Sequence, residues 1–134
     1  MPIEWTEDLA SGVEEIDSQH KLLISKTVEL LEACKGGKGR AEADEMLRFM
    51  IDYCDSHFSW EENYMKKYNY PYLLSHSREH AKGKQVFAEL KNKVEKEGVN
   101  TDTVVSLNKK LISWLLTHIR QTDIKMCTYI REKM

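Results

Sequence analysis

Two pairs of residues in the chain combine metal-binding side chains at a spacing of four. His57 precedes Glu61, and His76 precedes His80. In an α-helix this spacing places both side chains on one face, one turn apart, so both can reach the same metal cluster. Each pair alone is weak evidence, because a single histidine on a helix is more often a hydrogen-bonded core residue than a ligand.

A third pairing, His118 with Asp123, has a spacing of five and does not suit a straight α-helix. Five residues correspond to about 500° of rotation, which leaves the two side chains about 140° apart. If both bind one cluster, the helix must bend, bulge or end between them, or Asp123 must approach from another side. Thr122 is a good N-cap residue directly before Asp123, which favours a break at this point.

Four apolar-periodic segments of about 20 residues, joined by short breaks, indicate the helices that position these side chains. Residues 1–16 lack a sustained period and are typical of an N-terminal arm. The predicted helices are a first that follows the N-cap residues Asp17 and Ser18 and ends at the Lys35–Gly39 stop, a second over 41–67, a third over 72–96, a fourth from near Thr103, and a short C-terminal helix over 123–131. This pattern predicts an all-α, up-down-up-down four-helix bundle that forms one domain over residues 1–134.

All five histidines fall on inward faces of these predicted helices, with His20 on the first. Five histidines and two carboxylates in a small core would leave unpaired polar groups, each costing about 1–3 kcal/mol, unless a metal binds them. Glu61 alone could pair with Lys66, and Asp123 alone could start a helix. The joint pattern favours a metal site whose candidate ligands are His20, His57, Glu61, His76, His80, His118 and Asp123.

The number and type of these candidate ligands point to two metal ions. Seven ligands exceed the four that zinc usually takes, and the set is too rich in nitrogen for calcium or magnesium. Imidazole with carboxylate suits iron, with zinc, copper and nickel as alternatives. Two metals that share seven protein ligands through bridging carboxylates keep an open position, where a small external ligand can bind.

Taken together, these motifs resemble the hemerythrin family, in particular its bacterial single-domain members, over essentially the whole chain. The resemblance also includes Trp5 and Gly12 in the arm and the Ile16–His20 segment. It implies two iron ions that change between Fe2+ and Fe3+, an oxo or hydroxo bridge between them, and O2 as the ligand. The implied iron ligands are His76, His80 and His118 for one iron, His20 and His57 for the other, and Glu61 and Asp123 as bridges.

The resemblance further implies an apolar pocket over the iron with two histidines, where O2 binds. Such a pocket keeps out the water and anions that promote loss of the bound oxygen. Each pocket residue also suits an ordinary place in the core of the bundle. The implied pocket residues are Leu23, Phe58, Trp114, Leu115 and Ile119.

The histidine-rich ligand set favours reversible binding of O2 over its reduction. Di-iron oxygenases built in helical bundles use about four carboxylates and two histidines, and such anionic shells favour higher oxidation states of iron. We therefore predict an oxygen-binding protein for storage, delivery or buffering, and not an enzyme. The alternatives are a di-iron enzyme that reduces peroxide, O2 or nitric oxide, an oxygen or redox sensor, and an iron store.

Composition limits the partners that the protein is built for. The chain has 20 Lys and Arg against 22 Asp and Glu, and the net charge of −2 gives no electrostatic case for binding nucleic acid. No apolar run approaches the ~20 residues of a membrane-spanning helix, so membrane insertion is not expected. The N-terminus lacks a secretion signal, and three widely spaced cysteines suit a reducing compartment. We expect a cytoplasmic monomer whose partners are O2 and an oxygen-consuming enzyme or a reductase.

Overall fold

The computed structural model describes residues 5–36 and 40–134. Residues 1–4 of the predicted arm and residues 37–39 of the predicted stop lie outside the described residues. Every regular element in the two described ranges is helical, which confirms the predicted all-α class. Within those ranges, no helix is both long enough and apolar enough to cross a membrane.

Three uninterrupted α-helices and a fourth, segmented helix form the bundle. The first three are α1 (Glu14–Lys35), α2 (Arg40–Lys67) and α3 (Leu73–Glu97). The fourth helix consists of α4 (Thr101–Ser106), π1 (Leu107–Ile112), α5 (Ser113–Thr117), π2 (His118–Asp123) and α6 (Ile124–Arg131). α1 packs against α2, α2 against α3, and α4 and π1 against both α3 and α1. The predicted four-helix bundle is therefore confirmed.

The start of α1 differs from the prediction, because Asp17 and Ser18 are not its N-cap. The helix begins at Glu14, and Asp17 lies in its first turn. The Asp17 carboxylate accepts hydrogen bonds from the backbone N–H of Ser11 at 2.9 Å and from the Ser11 hydroxyl at 2.7 Å. Gly12, between these residues, has a φ of +84°, which favours glycine. Asp17 thus ties the arm to the helix instead of starting it.

The fourth helix begins at Thr101, two residues before the predicted start, because Asn100 and Thr103 cap it reciprocally. The Asn100 side-chain oxygen accepts from the Thr103 backbone N–H at 3.0 Å, and the Thr103 hydroxyl oxygen accepts from the Asn100 backbone N–H at 2.8 Å. This exchange satisfies two backbone donors at the helix start, as in a capping box.

The predicted break at Thr122 is wrong, because the fourth helix runs on through this position. The residues at both ends of π2 keep right-handed helical dihedrals, with φ of −60° at His118 and −71° at Asp123. The predicted C-terminal helix is present as α6, but as a continuation of the same helix. The bulge that the sequence left open as an alternative is what the structure contains.

Two apolar clusters form the core, one on either side of the histidines. The larger cluster contains residues such as Leu30, Leu47 and Leu111, and the smaller one residues such as Met65 and Met126. Along every helix of the bundle, the candidate metal ligands fall between the residues of these clusters. The core thus surrounds the polar centre with apolar packing at both ends.

Candidate metal centre

All seven predicted ligand residues meet at the centre of the bundle, and each side chain is at most 3% exposed. Every helix contributes to this centre, so the site depends on the packing of the complete bundle. The contributors are His20 from α1, His57 and Glu61 from α2, His76 and His80 from α3, and His118 and Asp123 from π2.

The seven side chains divide into two groups that share both carboxylates. One group has three histidines, His76, His80 and His118, with Glu61 and Asp123. The other has two histidines, His20 and His57, with the same Glu61 and Asp123. Within each group the potential ligand atoms all lie within 4.8 Å of one another, so each group could hold one ion.

The π-helical segment π2 brings His118 and Asp123 to the same centre. A π-helix forms i→i+5 hydrogen bonds, so a residue five positions later returns to nearly the same face. The Nε2 atom of His118 lies 3.1 Å from Oδ1 of Asp123 as a result. The five-residue spacing, which conflicts with an α-helix, suits the helix type that the chain adopts here.

The polar atoms of the centre fit metal coordination better than hydrogen bonding. Nε2 of His20 lies 2.8 Å from Oδ2 of Asp123, and Nε2 of His76 lies 2.9 Å from Oδ1. Neither contact forms a hydrogen bond, and both oxygens of Asp123 and both ring nitrogens of His20, His76 and His118 are buried without a hydrogen-bond partner. Each buried unpaired group costs about 1–3 kcal/mol. Bound cations would satisfy the inward-facing atoms together, since all of them converge on one space.

In the absence of metal, protons bound to the histidines would balance part of the negative charge of the two carboxylates. Burial alone would lower the pKa of a histidine, but contacts with Asp123 and Glu61 outweigh it and raise the pKa of His20 to about 10 and that of His76 to about 9. Burial alone would raise the pKa of Glu61 and Asp123, but the surrounding histidines hold both pKa values below their usual range. The metal-free centre is therefore a cluster of buried ion pairs.

This cluster makes the stability of the apoprotein depend on pH in a defined direction. The raised histidine pKa values contribute stability that is complete below pH 6.5 and is lost as the pH rises through about 9 to 10. The lowered carboxyl pKa values contribute stability that is complete above about pH 4.5 and is lost as the pH falls. We expect the urea midpoint of chelator-treated protein to be highest between these limits and to fall from pH 7 to pH 10.

The iron-loaded protein is the control for this pH profile. Metal binding needs deprotonated imidazoles, so its urea midpoint should rise from about pH 5 to pH 8. An apoprotein midpoint that also rises over the range from pH 7 to pH 10 would contradict the assignment of protonated histidines to the metal-free centre.

Two of the five histidines have protein partners on the side of the ring that faces away from the centre. Nδ1 of His57 contacts the side-chain oxygen of Gln19. Nδ1 of His80 donates to Glu62 at 3.2 Å, and the hydroxyl of Ser77 donates to the other oxygen of Glu62 at 2.7 Å. Burial opposes ionisation of Glu62, but these two hydrogen bonds outweigh it and lower its pKa. Such partners fix the orientation of ligand histidines.

Replacing Glu62 by glutamine should weaken metal binding by about 10- to 100-fold, the usual effect of losing a partner behind a ligand histidine. The amide is nearly isosteric but carries no charge, so His80 loses a charge-assisted hydrogen bond. Competition with a chelator measures the affinity. The control is Glu45→Gln, an exposed position on the same helix that should bind metal as the parent does. Equal affinities for the two variants would remove Glu62 from the site.

The predicted pocket residues surround the histidines with apolar surface. Phe58 stacks on His80, with ring centroids 4.1 Å apart, and lies 5.8 Å from His57. Trp114 stacks on His118 at 4.7 Å, so its contact is with the three-histidine group. Leu23, Leu115 and Ile119 are buried at 2% exposure or less. Phe58 and Trp114 both have their closest ring contacts with histidines of the three-histidine group, and the apolar pocket over the two-histidine group stays a prediction.

Gln19, Glu62 and Ser77 are the site residues that the sequence analysis missed. Each is the direct neighbour of a candidate ligand in the sequence: Gln19 precedes His20, Glu62 follows Glu61, and Ser77 follows His76. Polar residues next to ligands are a usable signal for such partners. The signal does not say which histidine each one contacts, since Gln19 contacts a histidine of another helix.

The fold and the site together define a helical-bundle protein with a buried cluster of five imidazoles and two shared carboxylates, which could hold two metal ions. The family model of the hemerythrin HHE cation binding domain matches residues 11–130. The chain belongs to the hemerythrin family. Membership supports a di-iron, O2-binding protein, and the buried His, Glu and Asp cluster fits such a centre.

Similar proteins extend over nearly the whole chain. The bacteriohemerythrin of Methylococcus capsulatus is 32% identical over 122 residues, which are 89% of this chain and 89% of that protein. The myohemerythrin of Theromyzon tessulatum is 27% identical over 124 residues, or 92% of this chain and 90% of that protein. A crystal structure of a hemerythrin with one leucine replaced by alanine has a TM-score of 0.80 and 29% identity, and the match covers 95% of each chain.

Proposed function

We propose that this chain binds O2 reversibly at a di-iron centre, for storage, delivery or buffering of oxygen. The observation that carries the proposal is the fully buried pair of ligand groups that share Glu61 and Asp123. When bound, the iron pair would supply the two electrons that reversible O2 binding requires. The proposed ligands are His76, His80 and His118 on one side, His20 and His57 on the other, and Glu61 and Asp123 between them.

The unequal histidine count supports an O2 site on the side of His20 and His57. This group offers four donor residues, whereas the other offers five. Glu61 and Asp123 are common to both groups, so they set the distance between the two sides. The smaller donor set leaves more coordination positions for an external ligand, and the Phe58 ring, which stacks on His80, also lies 5.8 Å from the His57 ring and adds apolar surface there.

The choice of donors supports binding without further reduction of O2. Five neutral imidazoles compensate less positive charge than carboxylates would, so the centre disfavours the higher oxidation states of iron. The apolar residues around the histidines lower the local polarity and exclude water. Both properties favour release of O2 over its conversion.

A visible spectrum of the reduced protein under argon, then air, then argon again tests this function. We expect an absorption band that appears with air and disappears when O2 is removed, at two irons per chain. Irreversible bleaching, or steady O2 consumption with an electron donor, would instead assign an enzymatic role. A partner protein that binds only the oxygenated form would indicate a sensor.

Replacing Leu115 by alanine should accelerate autoxidation several-fold. Leu115 is 2% exposed and lies three residues before His118, on the same face of the fourth helix. Its removal opens a cavity beside the centre, which admits water and anions. The decay of the oxygenated spectrum measures the rate. The control is Leu116→Ala, a truncation at the partly buried neighbour, and equal rates for both variants would exclude Leu115 as the shield.

We also propose a cytoplasmic monomer that exchanges O2 with an oxygen-consuming enzyme and is kept reduced by a reductase. The nearly balanced charge supports a small neutral ligand, which needs no steering field. Sedimentation of the iron-loaded protein tests the oligomeric state.

A further inference from the structure

Each group of the candidate metal centre contains one histidine with a side-chain partner behind its ring. In the two-histidine group it is His57, whose Nδ1 contacts the side-chain oxygen of Gln19. In the three-histidine group it is His80, whose Nδ1 donates to Glu62 at 3.2 Å. The Nδ1 atoms of the other three histidines are buried and have no hydrogen-bond partner among the described residues. The two groups therefore differ in the kind of partner that their one partnered histidine has.

Both partners reach their histidine in the same way, from the neighbouring helix. Gln19 directly precedes the candidate ligand His20 on α1 and contacts α2. Glu62 directly follows the candidate ligand Glu61 on α2 and contacts α3. The ring of His20 also meets the ring of His57 edge-on, with centroids 5.1 Å apart. The packing of the bundle thus holds each partner against the outer nitrogen of its histidine.

The two partners differ in charge. Glu62 is a carboxylate, and its second oxygen accepts a hydrogen bond from the Ser77 hydroxyl at 2.7 Å. Gln19 is a half-buried amide of almost the same size, which offers one neutral oxygen. Since Nε2 of His57 faces Glu61 at 3.1 Å, Nδ1 keeps its proton when Nε2 binds metal and donates a hydrogen bond to this oxygen. The centre therefore has a neutral acceptor behind one group and an anionic acceptor behind the other.

The charge of such a partner changes the donor strength of a ligand imidazole. A carboxylate that accepts from the outer N–H raises the basicity of the nitrogen that binds the metal. A more basic imidazole stabilises the ferric ion relative to the ferrous ion, and hydrogen bonds to the ligands are one means by which a protein sets the reduction potential of iron. A neutral amide polarises the ring less, since charge-assisted hydrogen bonds are about twice as strong as neutral ones. The difference in partners therefore favours the ferrous state in the two-histidine group.

We propose that Gln19 is a positioning residue whose neutral amide keeps the two-histidine iron readily reducible and thereby sets the affinity for O2. The inference rests on the proposed function, because that function places O2 in this group. Binding of O2 draws two electrons from the iron pair, and release of O2 returns both of them. An amide behind His57 favours this return, whereas a carboxylate in its place would hold the iron closer to the ferric state.

Replacing Gln19 by glutamate tests the role of the charge, since the variant keeps an acceptor oxygen at the same place. Reductive titration of the iron-loaded protein under argon measures the reduction potentials without O2, at about pH 8, where glutamate is ionised. We expect one potential to fall. The equilibrium constant for oxidation of that iron should increase by at least about tenfold, which corresponds to about 59 mV. An unchanged potential would show that Gln19 only orients His57, and would overturn the proposal.

Two further variants separate this hydrogen bond from a general effect of charge. Gln121→Glu makes the same substitution at an exposed position of π2, two residues before Asp123, and should shift the potentials much less. Glu62→Gln makes the reverse change behind His80 and should raise a potential. Equal shifts in Gln19→Glu and Gln121→Glu, or a lowered potential in Glu62→Gln, would overturn the assignment. Elemental analysis checks that every variant holds two irons per chain.

The rate of O2 release connects the potential with the function. Mixing the oxygenated protein with dithionite, which consumes free O2, gives the dissociation rate by stopped flow. Gln19→Glu should release O2 several-fold more slowly than the parent, and Gln121→Glu at the parent rate. Unchanged or faster release from Gln19→Glu would overturn the link to O2 affinity. If the parent did not bind O2 reversibly, the carrier function would be wrong, and the potentials would still decide whether Gln19 tunes the iron.

Discussion

Replacing Asp123 by alanine should reduce the iron content from two ions to at most one per chain. Asp123 belongs to both ligand groups, and its two oxygens lie 2.8 Å from Nε2 of His20 and 2.9 Å from Nε2 of His76. Without it, neither group keeps its full donor set, and only Glu61 remains to join them. Elemental analysis of the purified variant measures the ratio of iron to protein.

The same substitution should also destabilise the metal-free protein. In the apoprotein Asp123 faces buried histidines, and removal of one partner from a buried ion pair costs about 3–5 kcal/mol because the other charge stays unpaired. Urea unfolding of chelator-treated protein tests this expectation. Asp123→Asn, which keeps one oxygen and the shape of the side chain, separates loss of charge from loss of volume.

Asp52→Ala is the matched control for both measurements, because Asp52 is an exposed aspartate of α2. It should bind two irons and unfold as the parent does. Two irons per chain in Asp123→Ala would contradict the shared role of this carboxylate, whatever its effect on stability.

The helices, and the positions of the histidines on their inward faces, could be predicted from the sequence, because both follow from an apolar period near 3.6. The second and third helices begin and end within one residue of the predicted bounds. That period also led to the main error. It assumes an α-helix throughout, so the five-residue spacing of His118 and Asp123 suggested a break, whereas the chain forms π2 there.

Features that depend on packing between helices could not be predicted from the sequence pattern. Asp17 is a good cap residue by type, but the arm folds back so that its carboxylate binds Ser11. The contact of Gln19 with His57 joins two helices.

Gly83 illustrates the same dependence on packing, and its replacement by alanine should destabilise the protein by about 1–3 kcal/mol, the usual cost of overpacking. A Cβ atom at this position would lie 2.5 Å from Cζ2 and 2.8 Å from Cζ3 of Trp114. The indole ring cannot retreat easily, since it stacks on His118 at 4.7 Å and meets the Phe58 ring edge-on at 6.1 Å. Urea unfolding of the iron-loaded protein measures the change.

The expected destabilisation is opposite in sign to the effect that helix propensity predicts. In an ordinary helix interior, alanine is more stable than glycine by about 1 kcal/mol, so helix propensity alone predicts stabilisation. Trp114→Leu removes the ring that the Cβ atom would strike. In that background Gly83→Ala should be neutral or stabilising, and the double-mutant cycle isolates the clash. If Gly83→Ala stabilised the parent chain, the close packing of Trp114 between Gly83 and His118 would be wrong.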